Sequence, residues 1–213
     1  MSKQTWVFDL DGTLVDSFPQ YFTCLTVIFE KYGKTFDDTL RIESLTDQLM
    51  AFLRKHLAEH AEAAMEDIRI MSRNEAGQIP PFPGIVPLLD HLKEKGARLA
   101  VWTNRDLPSA TLILQHSGLS GYFQAFVSGS CVKDRKPHPE GLTRIVEELQ
   151  CDLEMVTMVG DHEHDVTGAK SATVRAVRAS WHRHWEVETC GSSDHQFYSV
   201  EEFATWVESQ RDL

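Results

Sequence analysis

Two aspartates end an apolar run near the start of the chain. The run covers residues 6–8, Asp9 follows it directly, and Asp11 comes two positions later. A chain turns at the carboxyl end of a strand, and Gly12 permits a sharp turn, so both carboxylates can converge on one pocket. Taken alone, such a pair is most often a solvated turn or a helix cap. Its place directly after an apolar strand, together with the groups described next, predicts a chemical role.

Further polar residues follow other apolar stretches of the sequence. The stretches 98–102 and 155–159 are predicted strands, and polar residues come directly after each of them. The carboxyl ends of parallel strands meet at one edge of a sheet, which is where such sheets bind ligands. We therefore expect one cluster there, joined by a lysine from a loop. Its predicted members are Asp9, Asp11, Thr103, Asn104, Lys136, Asp161 and Asp165.

The carboxylates of this cluster predict a bound cation. Asp9, Asp11 and Asp161 would repel one another and raise each other's pKa unless a cation lay between them. Mg²⁺ suits the site because it binds carboxylates, waters and substrate phosphate oxygens. Lys136 offers a compact positive charge, and Thr103 offers a hydroxyl for a phosphoryl oxygen. The cluster indicates phosphoryl transfer, with one aspartate as nucleophile and another as acid or base.

The elements that position the cluster alternate between strand and helix after residue 84. Helices are predicted at 86–95, 108–116, 139–149 and 165–171 and after Ser199, and strands at 98–102, 125–127, 155–159 and 174–177. Continuous apolar strands joined by single helices imply a parallel sheet that is covered on both faces. The predicted fold class is therefore α/β, with a doubly wound, Rossmann-like parallel sheet as its core.

A helical segment interrupts this core near its beginning. An apolar stripe at helical spacing covers 17–32, and another covers 37–74, which is too long for one helix and is predicted to divide into two or three. The glycine- and proline-rich segment 77–84 ends the pattern. The predicted domains are a core of residues 1–17 and 81–213 and an inserted all-helical cap of residues 18–80.

Composition limits the partners and the location. The net charge of −11 argues against a nucleic-acid or anionic-membrane partner. The sequence has neither an apolar run of membrane-spanning length nor a start like a signal peptide, which predicts a cytoplasmic protein without a membrane partner. The oligomeric state stays open. The four cysteines, predicted to be reduced thiols without a catalytic duty, are Cys24, Cys131, Cys151 and Cys190.

Four segments in order resemble the haloacid dehalogenase-like hydrolase superfamily, specifically its helical-capped phosphatases similar to phosphoglycolate phosphatase. The resemblance covers nearly all of the chain apart from the helical segment, whose place matches the family's cap. The segments are Asp9-Leu-Asp-Gly-Thr13, Val101-Trp-Thr-Asn104, Lys136-Pro-His-Pro-Glu140 and Gly160-Asp-His-Glu-His-Asp165.

The resemblance implies roles for the matching residues. Asp9 would attack phosphorus to form an aspartyl-phosphate, while Asp11 would protonate the leaving alcohol and then activate water. Lys136 would orient Asp9 and neutralise charge. Thr103 would hold a phosphoryl oxygen, and substrate binding is assigned to Thr103, Asn104 and Lys136.

The resemblance also implies a magnesium site. Mg²⁺ would be held by Asp9, Asp161 and the backbone carbonyl of Asp11. Asp165 would support the metal, often through water. Taken alone, Asp165 is equally well explained as the cap of the helix that it precedes.

Two histidine pairs and four cap residues have open roles. His162 and His164 lie inside the fourth segment and are expected to reach the pocket, whereas His182 and His184 lie in an aromatic, basic stretch that favours a surface loop. Pocket or surface histidines are a better interpretation than a transition-metal site. Candidates for holding a distal part of the substrate, which solvated helix faces explain equally well, are Arg41, Arg54, His56 and His60.

The function predicted from these features is a Mg²⁺-dependent phosphatase of a small phosphorylated metabolite. A phosphotransferase of the same fold, such as a sugar-phosphate mutase, is the first alternative. A catalytically silent binding or regulatory protein is the second, and the intact set of aspartates, threonine and lysine argues against it. The sequence does not identify the substrate.

Overall fold

A computed structural model describes residues 3–46, 48–182 and 193–210 of the chain. Within these residues, the strands form one parallel sheet in the order β3-β2-β1-β4-β5-β6. The strand order reverses at β1, which lies between β2 and β4. The strands are β1 (Thr5–Phe8), β2 (Arg98–Trp102), β3 (Ala125–Val127), β4 (Val156–Gly160), β5 (Arg175–Ala179) and β6 (His195–Phe197).

Helices cover both faces of the sheet, which confirms the predicted doubly wound α/β class. Alternate residues of a strand point to opposite faces, and Trp6 and Phe8 accordingly join one hydrophobic cluster while Val7 joins the other. The first cluster includes apolar residues of α5 (Ile85–Glu94), α6 (Leu107–His116) and α9 (Val200–Ser209). The second includes those of α7 (Glu140–Leu149) and α8 (Glu163–Ser171).

The helical segment has a hydrophobic cluster of its own. It comprises α1 (Phe18–Lys31), α2 (Asp38–Thr46), α3 (Leu49–Leu57) and α4 (Ala61–Asn74), with a 3₁₀ turn at Ala58–His60. The predicted division of 37–74 into two or three helices is confirmed. The buried side chains of this cluster include Phe22, Phe29, Phe36 and Phe52.

The chain leaves and re-enters the core region through two adjacent segments. The Asp16 N–H donates to the Pro80 carbonyl at 3.0 Å, and the Phe82 N–H donates to the Leu14 carbonyl at 3.0 Å. Just before re-entry, Ala76 packs into the cluster on the sheet rather than into the helical one. The division into a core of 1–17 and 81–213 and a cap of 18–80 stays a prediction.

The bounds of several elements differ by one or two residues from the predicted ones, and one strand was missed. Strand β6 was not predicted, and α8 begins at Glu163 rather than at Asp165. The earlier start follows from His162, whose side chain accepts the His164 N–H and so caps the helix. None of the helices in the described residues is both long and apolar enough to cross a membrane.

Candidate active site

Asp9 lies where β1 ends, and the sheet ladder fixes its backbone. Its N–H donates to the carbonyl of Val159 on β4 at 2.9 Å, and its side chain is buried. The following turn needs Gly12, which has a φ of +74°, and a Cβ atom there would lie 2.5 Å from Oδ2 of Asp161. The glycine therefore allows the turn to lie directly against the acidic residue that follows β4.

Lys136 connects two carboxylates inside the protein. Its Nζ lies 2.6 Å from Oδ1 of Asp9 and 2.6 Å from Oδ1 of Asp165, and the lysine is 6% exposed. Burial alone would lower the pKa of Lys136, but Asp165 and Asp9 outweigh it and raise the pKa. Nζ also lies 4.9 Å from the centroid of the Trp102 ring, within cation–π range. Lys136 is thus a buried lysine that pairs with two carboxylates, which raise its pKa.

The loop that carries Lys136 is fixed by Asn104. The Asn104 Nδ2 donates to the Lys136 carbonyl at 3.2 Å, and the Lys136 N–H donates to Oδ1 of Asn104 at 3.0 Å. Both ends of the amide therefore bind backbone, which gives Asn104 a positioning role. Its predicted contact with substrate stays a prediction. The neighbouring Thr103 is buried, and its hydroxyl oxygen accepts the Arg105 N–H at 3.1 Å.

Three buried carboxylates lie close enough together to share a cation. Each of Asp9, Asp161 and Asp165 offers an oxygen, and these atoms lie within 4.8 Å of one another. Burial raises the pKa of Asp9; Lys136 opposes this shift, while Asp165 and Asp161 reinforce it, and the net pKa is well above the usual value. Hard oxygen donors crowded in this way fit Mg²⁺, which would remove their repulsion.

Asp165 performs two tasks in this group. One oxygen pairs with Lys136, and the other accepts the His162 N–H at 3.0 Å, which completes a capping box at the start of α8. A Cβ atom on Gly160 would lie 2.4 Å from Oδ2 of Asp165, so a glycine is needed beneath the carboxylate. The helix-cap interpretation is therefore correct, and Asp165 also joins the acidic group.

The carboxylate of Asp11 binds Arg105, a residue that the sequence-based reasoning missed. Nε of Arg105 lies 2.8 Å from Oδ2 of Asp11, and a terminal nitrogen lies 2.5 Å from Oδ1. Burial would raise the pKa of Asp11, but the charge and hydrogen bonds of Arg105 outweigh it and lower the pKa. A basic residue directly after Thr103 and Asn104 was the available sequence signal. The prediction that Asp11 binds the metal through its backbone carbonyl is untested.

One histidine that was predicted to lie in a surface loop contacts the acidic group instead. Nε2 of His182 lies 3.3 Å from Oδ2 of Asp161, and its ring lies 4.9 Å from the ring of Phe18 at the start of α1. His182 thus contacts the acidic group instead of lying in a surface loop. His162 caps α8, and its ring centroid lies 4.4 Å from that of His164. His184 and Cys190 lie outside the described residues.

The four candidate cap residues contact other residues of the helical segment. Arg54 pairs with Glu62 at 2.8 Å on an exposed surface, and His56 lies 2.9 Å from Glu43. The Arg54 contact matches the alternative interpretation, a solvated helix face, whereas the His56 side chain is only 22% exposed. Two further contacts are aromatic: His60 stacks on Tyr32 at 4.6 Å, and Arg41 lies 5.7 Å from the Phe22 ring centroid.

The fold and the site together define an α/β enzyme core whose acidic site, with a buried lysine, lies beyond the carboxyl ends of β1 and β4. Comparison with known proteins identifies the family. The chain belongs to the haloacid dehalogenase-like hydrolases, whose family profile matches residues 6–179. The expected superfamily and the expected enzyme class, a hydrolase, are confirmed.

Individual relatives cover almost the whole chain. A phosphoglycolate phosphatase of Caulobacter vibrioides is 32% identical over an aligned length of 213. The alignment covers 94% of this chain and 90% of that protein. A crystal structure of a Lactobacillus plantarum protein assigned as a phosphoglycolate phosphatase has a TM-score of 0.83 at 22% identity, covering 96% of this chain and 99% of that one. A Thermotoga maritima protein assigned as a β-phosphoglucomutase has a TM-score of 0.80 at 24% identity, covering 96% and 98%. At these identities the two structures establish the fold alone.

Proposed function

We propose that this protein is a Mg²⁺-dependent phosphatase that hydrolyses a small phosphomonoester through an aspartyl-phosphate on Asp9. The observation that carries the proposal is the bridge from Lys136 to Asp9 and Asp165, at 2.6 Å each, within a buried group of three carboxylates. A nucleophile held by a buried cation next to a metal-binding group suits attack on a charged phosphoryl group. The phosphatase name of the Caulobacter vibrioides relative supports the same activity.

In the first half of the proposed reaction, a carboxylate oxygen of Asp9 attacks phosphorus and the bond to the ester oxygen breaks. Asp11 donates a proton to that oxygen, which leaves as an alcohol. Lys136 stabilises the charge on the phosphoryl group, and the hydroxyl of Thr103 donates to one of its oxygens. Mg²⁺, held by Asp9 and Asp161 with Asp165 in support, would neutralise charge on the phosphoryl oxygens.

In the second half, water attacks the phosphorus of the aspartyl-phosphate and the bond to Asp9 breaks. Asp11, now a carboxylate, takes the proton of the attacking water. Inorganic phosphate leaves, and the carboxylate of Asp9 is restored. Asp11 must exchange its pairing with Arg105 for the substrate in this cycle, because Arg105 binds both of its oxygens in the structure.

Phosphate release from a panel of phosphoesters, with Mg²⁺ and with a chelator, tests this proposal. The panel includes phosphorylated two- and three-carbon acids, sugar phosphates, nucleotides and pyrophosphate. Asp9→Asn is expected to abolish release, whereas Asp38→Asn, which changes an aspartate whose side chain is 94% exposed on α2, is expected to leave it unchanged. A correctly folded, Mg²⁺-bound Asp9→Asn protein with normal activity would contradict the proposal.

The same assay separates the alternatives. A sugar-phosphate mutase would convert isomers faster than it releases phosphate, and a silent binding protein would bind Mg²⁺ but hydrolyse no member of the panel. A cytoplasmic location also remains part of the proposal, as does the absence of nucleic-acid and membrane partners. The substrate is a small phosphorylated metabolite, and the panel is designed to identify its class.

A further inference from the structure

The turn after β5 lies against the acidic group, although the sequence favours a surface loop there. Trp181 and His182 form this turn, and the backbone leading into it is fixed where the Ser180 N–H donates to the Phe197 carbonyl at 2.8 Å. The proposed reaction assigns no task to either side chain of the turn. Both side chains nevertheless contact residues that belong to the site.

The indole of Trp181 connects a hydrophobic cluster of the core with the turn that follows Asp9. Its ring packs against that of Phe203 on α9, and the two ring centroids lie 5.9 Å apart. Its Nε1–H donates to the carbonyl of Thr13 at 3.0 Å. Because an indole nitrogen can only donate, this hydrogen bond fixes how the ring and the carbonyl face each other. Trp181 therefore holds the backbone of Thr13 from a packed base.

Thr13 connects this hydrogen bond to the carboxylate of Asp161. The buried hydroxyl of Thr13 donates to Oδ1 of Asp161 at 3.4 Å, and Nε2 of His182 lies 3.3 Å from the other oxygen, Oδ2. Each oxygen of Asp161 is thus contacted by a residue that the turn after β5 either supplies or fixes. Asp161 belongs to the three carboxylates that could share a cation, and the groups around a metal-binding carboxylate set its orientation.

We infer that Trp181 is a positioning residue of the metal site: its hydrogen bond to the Thr13 carbonyl holds the turn after Asp9 in place and, with it, the hydroxyl that orients Asp161. The inference rests on the metal site of the proposed function and adds a residue that acts on it through Thr13. Without the indole N–H, the Thr13 carbonyl loses this partner and Asp161 is held less firmly. Mg²⁺ then binds more weakly, although the fold is kept.

Trp6 offers a matched control in the same hydrophobic cluster. Its ring also contacts that of Phe203, with centroids 5.7 Å apart, and the residue is 1% exposed. Nε1 of Trp6 is buried and has no hydrogen-bond partner among the residues that the structure describes. Trp6→Phe and Trp181→Phe therefore make the same chemical change beside the same phenylalanine, but only Trp181→Phe removes a hydrogen bond. Because Trp6 is the more deeply buried of the two, Trp6→Phe should lose at least as much stability.

Calorimetric titration of the protein with Mg²⁺ tests the inference without turnover. Trp181→Phe is expected to bind Mg²⁺ about 3- to 10-fold more weakly than the wild type, whereas Trp6→Phe is expected to bind it as the wild type does. Trp181→3-benzothienylalanine keeps the bicyclic ring and its packing on Phe203 but has no N–H, so it should lose as much Mg²⁺ affinity as Trp181→Phe. Urea unfolding without metal shows that each variant is folded and how much stability it has lost.

A double-mutant cycle tests whether the effect passes through Thr13. Thr13→Val removes the hydroxyl that donates to Asp161 and keeps a branched side chain of similar size. In the Thr13→Val background, Trp181→Phe should weaken Mg²⁺ binding less than it does in the wild type, because the hydroxyl that Trp181 positions is absent. Fully additive losses of Mg²⁺ affinity would contradict this route.

The results distinguish this inference from the proposed function. If the wild type binds Mg²⁺ and releases phosphate but Trp181→Phe binds Mg²⁺ equally well, or if Trp6→Phe loses as much affinity, the inference is wrong and the phosphatase stands. If the variants differ as expected but the wild type hydrolyses no phosphoester, the phosphatase fails and the positioning role of Trp181 stands. A wild type that binds no Mg²⁺ would contradict both.

Discussion

Replacing Lys136 with methionine tests whether its ion pairs contribute strongly to stability because they are buried. The change removes the charge and keeps a side chain of similar length, so that Asp9 and Asp165 face each other without a cation. A matched control is Lys170→Met, because Lys170 pairs with Asp194 at 2.5 Å, nearly the same distance as the 2.6 Å pairs of Lys136. The two lysines differ in exposure: their side chains are 2% and 36% exposed.

The burial of the two pairs predicts different losses of stability. Breaking a buried ion pair by removing one partner costs about 3–5 kcal/mol, because the remaining charge stays uncompensated. Breaking an exposed pair costs about 0–1 kcal/mol. Without added metal at pH 7, Lys136→Met is thus expected to lose about 3–5 kcal/mol of unfolding free energy and Lys170→Met less than about 1 kcal/mol.

The loss in Lys136→Met is expected to depend on pH. Asp9 already has a raised pKa, and without Lys136 that pKa rises further. A carboxyl group whose folded-state pKa is raised binds its proton more tightly when folded, so stability increases as the pH falls through this pKa. The deficit relative to wild type should therefore shrink as the pH is lowered from neutral, and Mg²⁺ should also reduce it.

Urea unfolding over a series of pH values from neutral downwards, with and without Mg²⁺, measures these differences. Equal losses in Lys136→Met and Lys170→Met would refute the reasoning, because they would mean that burial does not set the strength of the pairs. If the loss of unfolding free energy in Lys136→Met did not change with pH, the unpaired carboxylates could not be its cause.

Other predictions concern the surroundings of the site. Trp102→Leu removes the ring beside Lys136 and is expected to lower kcat. It should also lower the unfolding free energy, measured by urea titration, by about 2–4 kcal/mol, because Trp102 is buried. Trp102→Phe should show a smaller loss. Gly12→Ala puts a methyl group 2.5 Å from Asp161 at a φ of +74°. This variant should lose at least about 1 kcal/mol of unfolding free energy and bind Mg²⁺ more weakly in calorimetry. Unchanged Mg²⁺ binding would argue against crowding of Asp161. Burial raises the pKa of the Cys24 thiol to about 11. Alkylation of Cys24 at about pH 8 should therefore be slow in the folded protein and fast in the unfolded protein. Fast labelling of the folded protein would contradict the burial of Cys24.

The parts of the fold predicted most closely from the sequence are those with a strong apolar pattern. The strands at 98–102 and 125–127 have the predicted bounds, since all their residues except Arg98 are apolar and most of these are buried. Strand β6 was missed because His195 and Gln196 resemble an exposed loop. Pairing with β5 at the sheet edge, rather than the side chains, makes this segment a strand.

In the site, too, the positions of residues at the sheet edge were predictable from the sequence, whereas individual side-chain contacts were not. The sequence predicted that Asp9, Lys136 and Asp161 meet, because each follows a strand or lies in a loop at one edge of the sheet. The pairing of Asp11 with Arg105 depends on the directions of two side chains in neighbouring loops, and His182 reaches Asp161 only through the course of the chain after β5. The spacing of residues along the sequence does not determine in which direction these side chains point.

The central claim is that Asp9 carries the phosphoryl group, and acid quenching of the reacting enzyme tests it directly. Protein mixed with a ³²P-labelled substrate and denatured in acid during turnover is expected to retain label on the peptide that contains Asp9. The label should be absent in Asp9→Asn, because the proposed nucleophile is then replaced by an amide. Rapid phosphate release without any bound label in the wild type, or label that persists in Asp9→Asn, would contradict the account.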